Sequence, residues 1–292
     1  MGDYKTGLVL EGGGTRGIFT SGVLDRMMRE GIEFPYVVGV SAGSCNGVGF
    51  VAKQIGRTRD CMLPTPGDKL VSVRNLRKAH SLYDMSAIFD RYPYQEYPFD
   101  FKTFFESPTE FEAVATDCLT GEAVYLSETD PENGPGLMLK CKASCSLPFF
   151  AAETVVDGRA YMDGGLADSI PVARAAEKGC ERFVVVLTRL EGFRRKKNSR
   201  LTRAMERVYR RYPELIRTMD ERYLMYNREV EEVERLEAEG KAFVIRPKDK
   251  IVKKTETNRE MLLEFYKQGY QQMDDRMEEL KKFLDEKRPA QG

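Results

Sequence analysis

Residues 36–47 read Tyr36-Val37-Val38-Gly39-Val40-Ser41-Ala42-Gly43-Ser44-Cys45-Asn46-Gly47, and the join inside this stretch decides the architecture. Tyr36–Val40 is an apolar run of strand length, and the residues from Ser41 to Gln54 read as a helix. Gly39-Val40-Ser41-Ala42-Gly43 is therefore a G-x-S-x-G at a strand-to-helix turn, the setting of a nucleophile elbow. Such a turn is tight, so the positions two before and two after the serine must lack bulk. The serine is then presented beside a helix N-terminus, where developing negative charge is favoured. Read alone, the same pentapeptide is also a plain Gly/Ser-rich turn.

Upstream, Thr6–Leu10 predicts a strand, followed by Glu11-Gly12-Gly13-Gly14 and a helix from Gly17 to Arg29 with Ile18, Val23, Leu24 and Met27 at helical spacing. Gly31 stops that helix. Two strand-loop-helix units in succession imply a parallel sheet with right-handed crossovers, which sets the first glycine loop beside the elbow. Its successive amides can point at one oxygen, and acyl transfer needs two or three such donors where the oxyanion develops. Gly13 and Gly14, with Gly12, are the candidate donors, and Arg16 is a helper that orders the loop. Gly12, Gly14 and Gly17 also satisfy the dinucleotide fingerprint G-x-G-x-x-G. A ribose-binding acid should then end the second strand, and Val40-Ser41-Ala42 stands there instead.

Downstream, residues 56–108 are polar and proline-punctuated, with a helix near Ser86–Arg91, and read as a covering excursion. Phe111–Ala115 and Ala123–Leu126 suggest a hairpin-like pair, and Leu137–Ser146 a helix ended by Pro148. Thr154–Val156, Ala160–Met162, a helix over Pro171–Lys178 and a continuously apolar central strand at Phe183–Leu187 follow. Beyond Leu190 come a basic run from Arg194 to Arg200, charged helices over 201–239 and 258–287, and a short strand at Ala242–Ile245. The expected division is a catalytic domain over 1–190 and, over 191–292, a last strand with a helical extension packed on that domain.

A serine nucleophile needs a base, and the chain has one histidine, His80, within Arg77-Lys78-Ala79-His80-Ser81. That polar setting disfavours a Ser-His-Asp triad. Asp163-Gly164-Gly165 follows a short strand, and its glycines allow close backbone approach. Three glycine-rich turns at strand ends lie where α/β sheets build their sites.

The G-G-G-x-R-G loop, the G-x-S-x-G elbow and the later D-G-G turn, in that order, resemble the patatin-like phospholipase family. Ala143-Ser144-Cys145-Ser146-Leu147-Pro148-Phe149-Phe150 resembles the block before the D-G-G turn, and the stretch from Asp163 through Pro171-Val172 its continuation. Asp168 stands where relatives often carry Asn, a departure that touches only a secondary turn contact. The similarity covers about residues 5–190, and the C-terminal helices resemble the tail of a bacterial subgroup. The resemblance implies a three-layer α/β/α fold with a mainly parallel sheet and a Ser-Asp dyad that hydrolyses lipid acyl esters with no metal or cofactor. Carried onto this chain, it makes Ser41 the nucleophile and Asp163 the base. Gly12, Gly13, Gly14 and Arg16 form the oxyanion hole, and Gly39, Gly43, Gly164 and Gly165 support the turns.

Lys plus Arg and Asp plus Glu both total 46, so no global field attracts nucleic acid or repels an anionic membrane. The N-terminal apolar run is too short for a signal peptide, and no segment has the apolar length of a bilayer span. The expectation is a cytoplasmic protein in contact with membranes only peripherally, with a lipid or acyl-ester substrate, no nucleic-acid partner and an open oligomeric state. Met1-Gly2 with Thr6 loosely fits a myristoylation pattern common by chance. The six cysteines read as reduced thiols, Cys141 and Cys145 as packing rather than a zinc site. Phe89, Tyr92, Tyr94, Tyr97, Phe99, Phe101, Phe104 and Phe105 either line an acyl channel, rest on a bilayer, or form core beneath a cap. The basic run at 194–200 either holds anionic headgroups or is a solvated loop. Two other readings stay open: a catalytically silent lipid- or partner-binding protein, and a glycine-loop nucleotide-binding module.

Overall fold

The computed structural model describes residues 5–63 and 83–286, so His80 and Gly2 lie outside the described residues. In chain order its strands are β1 (Thr6–Leu10), β2 (Tyr36–Val40), β3 (Glu110–Asp117), β4 (Ala123–Leu126), β5 (Thr154–Val156), β6 (Arg159–Asp163), β7 (Arg182–Val186) and β8 (Ala242–Ile245). They form one sheet in which β1 pairs in parallel with β2 and β7, β2 with β3, and β7 with β8. β4, β5 and β6 are antiparallel to their partners.

The central strands are buried at every position because both faces of the sheet are covered. Leu8, Leu10, Val37, Val184 and Val186 point to one side, against the helices Gly17–Arg29, Ala42–Val51 and Arg259–Asp275. Val9, Val38, Val40 and Val185 point to the other, against the helices Val172–Glu177 and Pro213–Ala238. The result is the expected α/β/α sandwich, and the helical C-terminal region supplies a layer helix to each face.

Edge use along β3 sets the geometry of the site. β2 pairs with Glu110–Val114, β6 with Ala115–Asp117, and β4 with Ala113–Thr116, overlapping both. A strand has two edges, so β4 holds one while β2 and β6 share the other end to end. Val40 stands opposite Val114 and Asp163 opposite Ala115, so Asp163 occupies the place into which β2 would have continued.

The charged C-terminal run is broken twice. The helices Ser199–Val208 and Pro213–Ala238 are separated by Tyr209–Tyr212, with Pro213 opening the second, where its missing N–H costs nothing. Arg276 divides Arg259–Asp275 from Met277–Asp285. Of the aromatic stretch, Phe99 and Phe104 are core, Tyr92 is buried, and Tyr94 is exposed and stacked on Phe101.

The helices Gly17–Arg29 and Arg259–Asp275 touch through backbone. A Cβ on Gly22 would lie 2.1 Å from Tyr266 O, and one on Gly269 2.2 Å from Phe19 O. Phe19 and Phe265 pack beside this crossing with ring centroids 5.4 Å apart. Alanine improves an isolated helix by about 1 kcal/mol over glycine, but here it must force the helices apart, at a cost of about 1–3 kcal/mol. Gly22→Ala and Gly269→Ala are therefore expected to lower the denaturation midpoint, and a rise in either would show that the crossing is loose.

Candidate active site

β2 ends at Val40 and the helix Ala42–Val51 begins at once, leaving Ser41 in the turn with φ 55° and ψ −124°. A side chain held there is strained by about 1–3 kcal/mol and persists only where its surroundings impose it. They do: a Cβ on Gly39 would lie 2.5 Å from Gly43 O, and one on Gly43 2.4 Å from Leu10 O. Ser41 N–H donates to Ser144 Oγ at 2.9 Å, and the Ser44 and Cys45 amides donate to the Ser41 carbonyl. Ser144 thus gives the Ala143–Phe150 block a physical task, bracing the elbow, that the residue pattern alone did not reveal.

Asp163 is buried, with 4% of its surface exposed. Its amide donates to Ser146 O at 2.9 Å, its carbonyl accepts from Thr116 Oγ1 at 2.9 Å, and Oδ1 accepts the Gly165 N–H at 2.9 Å. Burial raises the carboxyl above the usual aspartate range. The Ser41 hydroxyl bond, the Arg222 guanidinium, the Gly165 amide and Lys254 all work against that rise. A Cβ on Gly164 would lie 2.2 Å from Val114 O, so this glycine lets β6 reach β3. On Gly165 a Cβ would lie 3.2 Å from Arg222 Nη2, so the second glycine makes room for a cation from the C-terminal region.

Asp168, the departure noted in the motif, accepts from Tyr125 OH at 2.8 Å and bonds with Glu229. Burial and then the Asp168 charge push Glu229 well above the usual carboxylate range, and burial raises Asp168 too. Glu229 also accepts the Ser169 and Ile170 amides, holding the segment after the D-G-G turn.

In the first glycine loop, Gly14 has φ 59°, and among the described residues no acceptor meets the N–H groups of Gly12, Gly13 or Gly14. Three unsatisfied amides in one loop, beside the amide of Ala42 at the elbow's helix start, are the equipment for holding an oxyanion. The loop is anchored beneath by Glu11, which accepts from Thr188 N (2.6 Å), Thr188 Oγ1 (3.1 Å) and Tyr226 OH (2.9 Å). Above, the strap Lys253–Glu256 crosses it: Thr15 N donates to Lys254 O at 3.0 Å and Thr15 Oγ1 to Lys253 O at 2.9 Å. Arg16 is buried, and its guanidinium lines the cavity rather than pairing within the loop.

Ser41 and Asp163 open into a cavity of about 630 Å³ that Gly12, Gly13, Gly14, Arg16 and Gly165 also line. One part of its wall is apolar, with Val48, Met62, Ile88, Phe89, Met138 and Leu147; another carries Arg189, Arg195, Arg222 and Lys254. Phe89 is thus the member of the aromatic stretch on the cavity wall. Arg195 leaves the basic run to enter the cavity, while Arg194 pairs with Glu234 and Lys197 with Asp220. Cys45 and Cys145 also line the cavity, their sulfurs 3.7 Å apart.

The family model described as patatin-like phospholipase matches residues 8–176, more than half of the chain and all three glycine turns. The chain belongs to the patatin-like phospholipase family. A second model, a domain of unknown function (DUF6363), matches residues 212–285, which include Arg222, Tyr226 and Lys254. The chain is 29% identical over 196 residues to the uncharacterized protein YjjU of Escherichia coli (strain K12), covering 63% of this chain and 52% of that protein. It is 27% identical over 190 residues to the uncharacterized NTE family protein Rv1063c of Mycobacterium tuberculosis, covering 62% and 48%. The chain thus spans about half the length of these curated relatives. VipD from Legionella pneumophila superposes with a TM-score of 0.48 at 13% identity, over 95% of this chain and 67% of that one.

Two outcomes follow from this patatin-like geometry. Ser41→Gly, which relieves the strained φ, should be more stable than Ser41→Ala by about 1–2 kcal/mol in chemical denaturation; equal stabilities would mean the turn is unstrained. Arg222→Gln removes a cation that favours the Asp163 carboxylate, so carboxyl 13C titration should place the Asp163 pKa higher than in wild type.

Proposed function

We propose that the protein is a serine-dependent acyl-ester hydrolase acting on lipids, with Ser41 as nucleophile and Asp163 as base. The observation that carries the reading is the strained Ser41 at the elbow beside a buried carboxylate, inside a cavity with an apolar wall. As Ser41 Oγ bonds to the ester carbonyl carbon, its proton passes to Asp163. The carbonyl oxygen becomes an oxyanion held by the Gly12, Gly13, Gly14 and Ala42 amides. Collapse breaks the bond to the alcohol oxygen, which takes the proton from Asp163 and leaves. Water then attacks the acyl-enzyme, its proton going to Asp163 and then back to Ser41 Oγ as the fatty acid departs.

Aspartate ordinarily titrates near 3.9, too acidic to serve well as a base at neutral pH. Burial of Asp163 acts in the required direction. Among the described residues no helix is long and apolar enough to cross a membrane.

A p-nitrophenyl acyl-ester series and a mixed phospholipid panel, assayed with chelator present, test the reading. Ser41→Ala and Asp163→Ala should each lose at least a hundredfold in kcat/KM with circular dichroism unchanged. The acid limb of the wild-type pH profile should lie above the free aspartate range, because the ionised base is required and burial raises its pKa. Turnover that survives Ser41→Ala, or none in wild type across the panel, would overturn the assignment.

A further inference from the structure

The cavity wall carries six basic side chains, Arg16, Arg57, Arg189, Arg195, Arg222 and Lys254, against the acids Asp163 and Glu256. Arg57 stands apart among the cysteines, with Nε donating to Tyr97 O at 3.0 Å. The other five act on one another: Lys254 feels the charges of Arg222, Arg16 and Arg195, and Arg16 those of Arg189 and Arg195, while Arg222 and Lys254 also face Asp163. Among the described residues, two further carboxylates offset part of this charge without a direct hydrogen bond to a cation: Glu11 acts on Arg16 and Arg189, and Glu229 on Arg222. Glu11 is bound by Thr188 and Tyr226, and Glu229 by two amides and Asp168.

Aromatic faces support several of these cations. The Arg189 guanidinium lies 4.2 Å from the Phe193 ring centroid, that of Arg195 4.4 Å from Tyr226, and Lys254 Nζ 4.1 Å from Phe150. Stacking leaves guanidinium N–H groups free for an acceptor. The Nε atoms of Arg16, Arg189, Arg195 and Arg222 are buried and have no hydrogen-bond partner among the described residues. Arg16 itself is only 6% exposed. Gathering five cations in a low-dielectric site with fewer carboxylates, and none among the described residues hydrogen-bonded to them, is costly unless an anion completes it. The charges pull one another down accordingly: burial first, and then repulsion, bring Arg222 to about 9 and Arg16 to about 10.

We propose that Arg16, Arg189, Arg195, Arg222 and Lys254 form an anion subsite for a phosphate-bearing headgroup, so that the substrate is an acyl ester whose alcohol part is anionic. This rests on the hydrolase reading, with Ser41 in the same cavity as the apolar and the cationic side chains. The apolar wall takes the acyl chain, and the cationic wall takes the phosphate of the departing alcohol. Guanidinium groups from separate segments, residues 16, 189, 195 and 222, surround the anion and offer the forked donors that phosphate oxygens accept. Three of the five cations come from beyond Leu190, which gives the C-terminal region a part in substrate choice.

Binding and turnover are measured separately. Full-length Ser41→Ala is titrated calorimetrically with inorganic phosphate, glycerol 3-phosphate and glycerol, and wild type is assayed on lysophosphatidic acid and the monoacylglycerol of the same chain. Glycerol 3-phosphate should bind and glycerol should not, and the phosphate-bearing ester should have at least a tenfold higher kcat/KM. Arg189→Gln/Arg195→Gln should erase both preferences at least tenfold, mainly through Kd and KM, while Arg195→Lys should retain part of each. Phosphate binding without preference for the anionic ester would assign the site to a free anion and overturn the headgroup assignment. Neither binding nor preference would overturn the subsite even if neutral esters are cleaved. Binding intact with no ester hydrolysed would support the anion subsite and sink the hydrolase reading instead.

Discussion

One edge of β3 is used twice, first by β2 in parallel and then by β6 in the opposite direction, and the rest of the site depends on this succession. Because β2 stops at Val40, the edge of β3 is free from Ala115 onward, and backbone groups buried there must be paired. β6 satisfies them, and its antiparallel run delivers Asp163 to the position next to the end of β2. Ser41 at the end of one strand and the Asp163 carboxylate at the end of another are thus brought together by ladder register. Gly164 is required by the same closeness, since any side chain there would strike Val114 O.

The C-terminal region joins this arrangement from two directions. Tyr226 reaches through the second helical layer to Glu11, whose carboxylate also anchors Thr188. Removing the Tyr226 hydroxyl would leave a buried acceptor unsatisfied, a cost of about 1–3 kcal/mol. The strap Lys253–Glu256 lies across the glycine loop and takes its Thr15 donors. The loop amides are consequently held from below and above, which is the preorganisation that oxyanion binding demands. β8 and the helix Arg259–Asp275 complete the sheet and its covering layer, so the sheet, the loop and the strap share one packed body.

Much of the frame was legible in the residues because it rests on local rules. Strand β2 and the elbow follow from an apolar run meeting small residues, and β8 from a four-residue apolar run between charged helices. Ser41, Asp163 and the glycine loop stand out in the sequence because glycines mark places where backbone must approach closely. What stayed hidden depends on long-range placement. Arg222 and Lys254 sit in charged stretches that resemble any solvated helix or loop, and nothing in their neighbours announces that they turn inward. Arg195 was visible only as one of a basic run, since the run divides between surface ion pairs and the cavity. Ser144 lies in a recognised block, but its bond to the elbow amide spans more than a hundred residues of chain. The aromatic stretch resolved mostly into core because Phe99 and Phe104 fill the space beside Phe111.

The cations and burial act on Asp163 in opposite directions. Arg222 and Lys254 favour the ionised form of Asp163 and so make it a weaker base, while burial makes it a stronger one. On the proposed reading an anionic headgroup neutralises these cations and displaces water from the cavity. Both changes raise the proton affinity of Asp163 at the moment Ser41 must release its proton. A neutral ester fills the same space but leaves the cations unpaired, and therefore leaves the base weaker. Discrimination between anionic and neutral esters then reaches the chemical step as well as binding, because the headgroup that seats the substrate also tunes the group that activates Ser41.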